Sequence, residues 1–178
     1  MAETEGTPLH LRCDLRPGDL GAVVRLHGLL YAREQGFDHR FEGYVAEGLA
    51  RFSRDYDPAR ERLWVVEAAD GRIVGCVAVV RASEQRDAAQ LRWFLLDPAA
   101  RGRGLGRRLL GEAVTFAEAA GYRSMHLWTL RGLAAAARLY RAFGFALVEE
   151  KPNRDWLAGR ELVEQRYERA FPPRSANP

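Results

Sequence analysis

The sequence predicts one α/β domain: a central mixed, mostly antiparallel sheet with helices on both faces, in the order β-α-α-β-β-β-α-β-α-β-β. Three observations carry this. Two segments of helical period open the chain, and the hydrophobic pattern then changes to short β-branched runs. Asp70-Gly71 joins the first two of those runs in the manner of a hairpin turn. A strand, a glycine-rich turn, a helix and another strand then follow one another over residues 90–129, enough chain for a parallel crossover. A length of 178 residues suits a single domain with its own core.

Each element has a local signal. His10 to Leu15 reads as a short first strand. Pro17 opens a helix whose Leu20, Val23, Val24, His27, Leu30 and Tyr31 share a face, and Gly36 ends it. A second helix over Phe41–Phe52 puts Phe41, Val45, Gly48, Leu49 and Phe52 on one side. Leu63–Ala68 and Ile73–Val80 form the hairpin. A polar loop, Ser83 to Ala88, leads to a fourth strand, Gln90–Leu96, where alternation sets Leu91, Trp93 and Leu95 opposite Gln90, Arg92, Phe94 and Leu96. Asp97-Pro98 stops it. The next helix carries Leu105, Leu109, Ala113, Phe116 and Ala120 on its apolar stripe and stops at Gly121. A strand at Arg123–Thr129, a helix at Gly132–Phe143 broken by Gly144, and strands at Phe145–Glu150 and Leu162–Glu168 complete the order. Residues 9–170 form the expected domain, with a disordered N-terminus over 1–8 and a tail over 171–178.

Composition narrows the class. The charged fraction is 29% and the hydrophobic fraction 47%, values of a globular chain. No apolar run approaches the roughly 20 residues of a membrane helix, and the polar start is no signal peptide. Two cysteines without a CxxC exclude a disulfide framework, and Cys76 in an apolar run reads as core. Four histidines lack metal-ligand spacing, so no metal is expected and the setting is cytoplasmic. A net charge of +3 makes no case for nucleic acid, nor does the composition for a membrane.

The segment Arg101-Gly102-Arg103-Gly104-Leu105-Gly106-Arg107 stands between a strand and a helix. Glycines at alternate positions let backbone approach a ligand closely. A helix start adds unpaired N–H groups and a positive dipole end, so the turn is an anion site suited to pyrophosphate. Arginines in and after the turn add charge. GxxxxGK[ST] is absent, which excludes a Walker A loop. Arg107 stands where a dinucleotide fingerprint needs its third glycine, and the acidic ribose partner is missing.

The remaining pattern, [Q/R]-x-x-G-x-[G/A], is matched by Arg101-x-x-Gly104-x-Gly106. Here the chain resembles the GNAT family of N-acetyltransferases, and Leu95 to Leu110 resembles that family's core motif. Leu139-Tyr140-Arg-Ala-Phe-Gly144-Phe145 is similar to its later LYxxxGF motif. The resemblance implies the GNAT fold, acetyl-CoA as co-substrate, and pyrophosphate on the backbone of residues 101–107. It also implies that the fourth strand splays from the fifth. Backbone groups near Phe94, Leu95 and Leu96 would then pair with the pantetheine arm, an N–H near Leu96 facing the acetyl carbonyl. Segments Arg33–Asp38, Gln90–Phe94, Leu127–Thr129 and Glu164–Tyr167 resemble the acetyltransferase domain often fused to a MarR-type regulator, here expected free-standing.

The chemistry follows from that resemblance. Direct acetyl transfer to an amine of a small molecule or peptide is expected, with no covalent enzyme intermediate. Tyr140 is the candidate general acid: a phenol of pKa about 10 can protonate a leaving thiolate. It shares an inward face with Leu133, Ala136 and Ala137. Leu133 stands where the family often has asparagine. Many relatives carry a glutamate on the fourth strand, where this chain has Gln90 and Arg92; Glu42, Asp38 and Glu67 are candidate bases in its place. Arg92 is read as paired internally with Glu42 or Glu67, or as the ligand of a substrate carboxylate. Glu42 and Arg92 are thus the candidate substrate residues. His126 is read as a core histidine, and the tryptophans as core or acceptor wall. The alternative function is an acyl-CoA sensor without turnover or a regulatory interaction module. A monomer or homodimer is expected.

Overall fold

Seven strands form one sheet in the order β1-β2-β3-β4-β5-β7-β6. They are β1 (Leu9–Arg12), β2 (Arg62–Ala68), β3 (Ile73–Arg81), β4 (Ala88–Leu96), β5 (Ser124–Leu130), β6 (Ala146–Asn153) and β7 (Leu162–Ala170). Only β4 and β5 are parallel; every other pair is antiparallel. Four helices complete the fold: α1 (Asp19–Gln35), α2 (His39–Arg54), α3 (Leu105–Ala119) and α4 (Ala134–Ala142). This computed structural model describes residues 8–82, 87–157, 159 and 161–172. Most of the expected N-terminal segment, residues 83–86 of the polar loop and most of the expected tail lie outside the described residues.

The strand period sorts side chains to two cores. On β2, Leu63 and Val65 turn toward α1 and α2, where they meet Val23, Leu30, Phe41, Val45, Leu49 and Phe52. Trp64 and Val66 turn the other way, to Leu109, Leu110, Ala113 and Ala117 of α3. Full burial of such side chains stabilises the fold by about 1.5–3 kcal/mol each. Asp38 caps α2 by accepting from the Arg40 N–H, and Gly36 ends α1 in the left-handed conformation at φ +74°. Cys76 is core as expected; it donates to the Trp93 carbonyl at 3.0 Å, and burial pushes its thiol pKa up. Phe171, expected in the tail, is buried against the α3 core, and its N–H reaches the Arg123 carbonyl at 2.8 Å.

The alternation expected on β4 fails at one residue. Trp93 has φ +50°, and the pairing with β3 shifts there, from Ala78 beside Arg92 to Cys76 beside Leu95. Two residues of β4 therefore oppose one of β3, which is a β-bulge. Leu91 consequently packs with α3, whereas Trp93 packs with α2. Arg92 also lies on the α2 side, its guanidinium close to Gly48. A bulge reverses which residues face inward, and nothing in an apolar run announces it.

Candidate active site

Beyond Leu91 beside Leu127, β4 stays paired only to β3 and β5 only to β7. The strands part. The released edge of β4 lines a cavity of about 660 Å³ with Phe94, Leu95 and Leu96, and the glycine-rich turn closes its far end with Arg101, Gly102, Gly104, Gly106 and Arg107. Arg103 and Leu105 stand outside this lining, and Leu105 packs on the α3 core. An unpaired strand edge offers backbone donors and acceptors to a ligand.

The turn's geometry explains its glycines. Gly102 and Gly104 have φ of +76° and +75°, which an L side chain adopts only at a cost. The first bond of α3 runs from the Arg108 N–H to the Gly104 carbonyl at 3.0 Å. The N–H groups of Leu105, Gly106 and Arg107 precede it, at the positive end of the helix dipole. That cradle fits a pyrophosphate. Arg101 differs from expectation: its Nε donates to the Leu96 carbonyl at 2.9 Å and its Nη2 pairs with Glu34 at 2.8 Å. The side chain ties the turn to the end of β4 and to α1, so backbone and Arg107 are left to face the anion.

Tyr140 lies midway along the cavity, buried, with its ring against those of Phe94, Phe145 and Tyr167. Burial holds its pKa well above the ordinary phenol range, with the nearby Thr129 side chain opposing part of the rise. A second phenol was not singled out by the sequence. Tyr31 of α1 lines the same cavity, and burial raises its pKa to about 12. Leu133 stands at the N-cap of α4 with no side-chain cap.

A second, open groove of about 1020 Å³ lies over the part of the sheet that α1 and α2 leave bare. Tyr44, Gln90, Arg92, Trp128, Trp156 and Glu164 line both spaces, so the groove opens into the cavity where the strands part. The segment after β6 carries Trp156 onto Phe41 and Tyr44 of α2, with ring centroids 5.2 and 5.1 Å apart. His126, buried as expected, also lines the groove.

The candidate carboxylates are placed elsewhere. Glu42 lines neither space; it lies over Gly28 of α1, where a Cβ would meet its Oε2 at 2.7 Å. Glu67 pairs with Arg12 at 2.6 Å, and Asp38 pairs with Arg40 at 2.7 Å, which holds it at about 2. The expected internal pair of Arg92 is absent: among the described residues its hydrogen bond goes to Tyr44 Oη at 3.1 Å, and its guanidinium lies over the Trp93 and Tyr44 rings. The carboxylate that does reach the junction is Glu164 of β7, buried and accepting from Asn153 Nδ2 at 3.1 Å. Nothing in its strand, which carries Glu164 and Glu168 beside Arg166 and Arg169, singled it out in the sequence. Among the described residues no cluster of His, Cys, Asp or Glu could hold a metal ion.

The sequence model of the acetyltransferase (GNAT) family matches residues 30–145. The chain belongs to this family. An uncharacterized N-acetyltransferase of Schizosaccharomyces pombe is 35% identical over 119 residues, which cover 67% of this chain and 72% of that protein. Among solved structures, an acetyltransferase of Salmonella typhimurium with its cofactor acetyl-CoA aligns at a TM-score of 0.73, 20% identical, over 96% of this chain and 97% of that one. A ribosomal-protein-alanine N-acetyltransferase of Brucella melitensis aligns at 0.72, 20% identical, over 91% and 99%. These likenesses show the GNAT fold. Membership of the GNAT family makes the chain an acyltransferase with acetyl-CoA as co-substrate. No helix among the described residues is long and apolar enough to cross a membrane.

Proposed function

We propose that the chain transfers the acetyl group of acetyl-CoA directly to an amine of a small molecule or peptide. The observation that carries this is the junction: an apolar cleft ending in an anion cradle opens, at the parting of β4 and β5, into a polar groove that can hold a second substrate. In this reading the N–H groups of Leu105, Gly106 and Arg107 hold the pyrophosphate, with the Gly102–Gly104 turn beneath it. The open edge of β4 at Phe94, Leu95 and Leu96 pairs with the pantetheine arm and donates to the acetyl carbonyl, where negative charge develops.

The amine reaches the thioester from the groove. Its nitrogen forms the new C–N bond as the C–S bond breaks. Glu164, directly or through water, accepts the proton that the amine loses, and Tyr140 gives a proton to the departing sulfur. A phenol whose pKa is raised by burial stays protonated at physiological pH, as an acid must. The enzyme acts in the cytoplasm, as a monomer or homodimer, and nucleic acid has no part in the reaction. Its nearer likeness to acetyltransferase domains fused to MarR-type regulators, carried by Gln90–Phe94 and Glu164–Tyr167, belongs to this reading. Titration with acetyl-CoA followed by thiol release over a panel of amines tests it. Binding with saturable release on at least one amine is expected; binding without release on any would overturn the transferase reading.

A further inference from the structure

Five cations line the acceptor groove: Arg40, Arg51, Arg92, Lys151 and Arg154. Four of them have a carboxylate partner. Arg40 pairs with Asp38 at 2.7 Å, Arg51 with Glu47 at 3.2 Å, Arg154 with Glu161 at 2.5 Å, and Lys151 with Glu164 at 3.8 Å. Arg92 has none among the described residues. Of the five N–H donors of a guanidinium, it commits one, to Tyr44 Oη. Its guanidinium carbon lies 4.9 Å from the Trp93 ring centroid and 5.4 Å from that of Tyr44, and it stands where the groove meets the cleft. A half-buried guanidinium without a counter-charge is costly to keep, and its fork matches a carboxylate in bidentate fashion.

Glu164 stands across the opening. Leu127 is the last residue of β5 beside β4, and Leu130 is the β5 residue beside Glu164. Arg92 and Glu164 thus rise from strands two apart, at least roughly 10 Å between backbones at about 4.8 Å per strand spacing. Both side chains line the groove and the cleft where the two spaces meet. Glu164 Oε2 is taken by Asn153 and lies 3.8 Å from Lys151 Nζ, while Oε1 accepts no hydrogen bond among the described residues.

We propose that the acceptor is a free amino acid, its carboxylate held by Arg92 and its amine presented toward Glu164 and the thioester. The reaction is the one already written: the ammonium of the bound amino acid first gives a proton to solvent, the neutral amino nitrogen takes the acetyl group as the C–S bond breaks and passes a second proton to Glu164, Tyr140 protonates the departing sulfur, and the carboxylate of the acceptor takes no part in bond making. The inference rests on the acetyl-transfer reading and adds the substrate class. Trp128, Trp156 and Tyr44 then flank the amino acid's side chain, so an apolar or aromatic one fits best.

The test uses the whole chain, acetyl-CoA and thiol release. Each common amino acid is assayed beside its carboxamide and its decarboxylated amine. At least one amino acid should be acetylated, with kcat/KM at least tenfold above that of its carboxamide. Arg92→Gln should raise KM for that amino acid tenfold or more and abolish the preference for the acid, with acetyl-CoA affinity by titration changing less than threefold. Arg92→Lys, which keeps the charge and loses the fork, should recover part of the preference. Melting temperature confirms that both variants fold. Release with simple amines but none with amino acids overturns the amino-acid assignment and leaves the transferase intact. Acid and carboxamide turned over alike, or a preference unchanged in Arg92→Gln, overturns it equally. Binding of acetyl-CoA with release on neither set overturns both readings.

Discussion

The cofactor cleft and the acceptor groove meet at one junction but are made differently. The cleft is backbone: two glycines at positive φ, the first N–H groups of α3 and the open edge of β4. These backbone parts lie within residues 94–108, while side chains such as Tyr31 and Tyr140 complete the lining. The groove is side chain: Tyr44 and Glu47 from α2, Arg92 from β4, Trp128 from β5, Lys151 from β6 and Glu164 from β7. A backbone site binds one ligand whatever the surrounding side chains, which suits a shared co-substrate. A side-chain site can be rebuilt residue by residue, which suits an acceptor that differs from one enzyme to the next.

Four experiments sharpen or break that contrast. The largest effect is expected at the junction. Tyr140→Phe should lower kcat about 100-fold, at the lower end of what general acid catalysis contributes, with acetyl-CoA affinity nearly intact. Tyr31→Phe is its comparison, and an equal loss there would move the acid role to α1. Next, Gly104→Val should weaken acetyl-CoA binding by about tenfold or more and leave acceptor KM alone. The strain of φ +75° costs about 1–2 kcal/mol, visible as a lower melting temperature. Glu164→Gln should do the reverse, cutting turnover about tenfold and flattening the acid limb of the pH–rate profile, with cofactor binding unchanged. If the two variants affected both substrates alike, the cleft and groove would not be separable sites.

The last prediction concerns stability rather than either substrate. His27 lies in the wall under the junction, hydrogen-bonded to the Val23 carbonyl at 2.9 Å. Burial, with a further contribution from Arg92, lowers its pKa to about 4. A folded pKa below the unfolded value of about 6.5 means that the unfolded chain binds the proton more readily. The stabilisation is therefore complete above about pH 6.5 and is lost as pH falls toward 4. It amounts to about 3 kcal/mol, several degrees in melting temperature. His27→Gln should flatten this dependence, and Arg92→Gln should shift its midpoint upward.

Much of the fold was legible because its signals are local. The helix faces Val23/Leu30 and Phe41/Val45/Leu49/Phe52, the Asp70-Gly71 hairpin and the parallel unit around α3 all agree with the structure. The anion turn was legible for the same reason, since a glycine's backbone freedom is a property of its own position. What was misread depended on neighbours far along the chain. The face of Leu91 turned on a bulge at Trp93, the partner of Arg92 on Tyr44 rather than on Glu42 or Glu67, and the contacts of the Arg101 side chain on Glu34 of α1. Glu164 was passed over because its place beside the cleft exists only once β7 has inserted between β5 and β6.

By itself the sequence determined the elements, the glycine turn at the start of α3 and the family, because each is written in short-range spacing that any chain of this pattern must obey. Tertiary structure alone decided which cations of the groove have a carboxylate partner among the described residues and that Arg92 is held by Tyr44 instead. Charge pairing is a through-space property: Arg92 stands 48 positions from Tyr44, which its guanidinium touches, and only folding brings them, Glu164 and the open edge of β4 to one place.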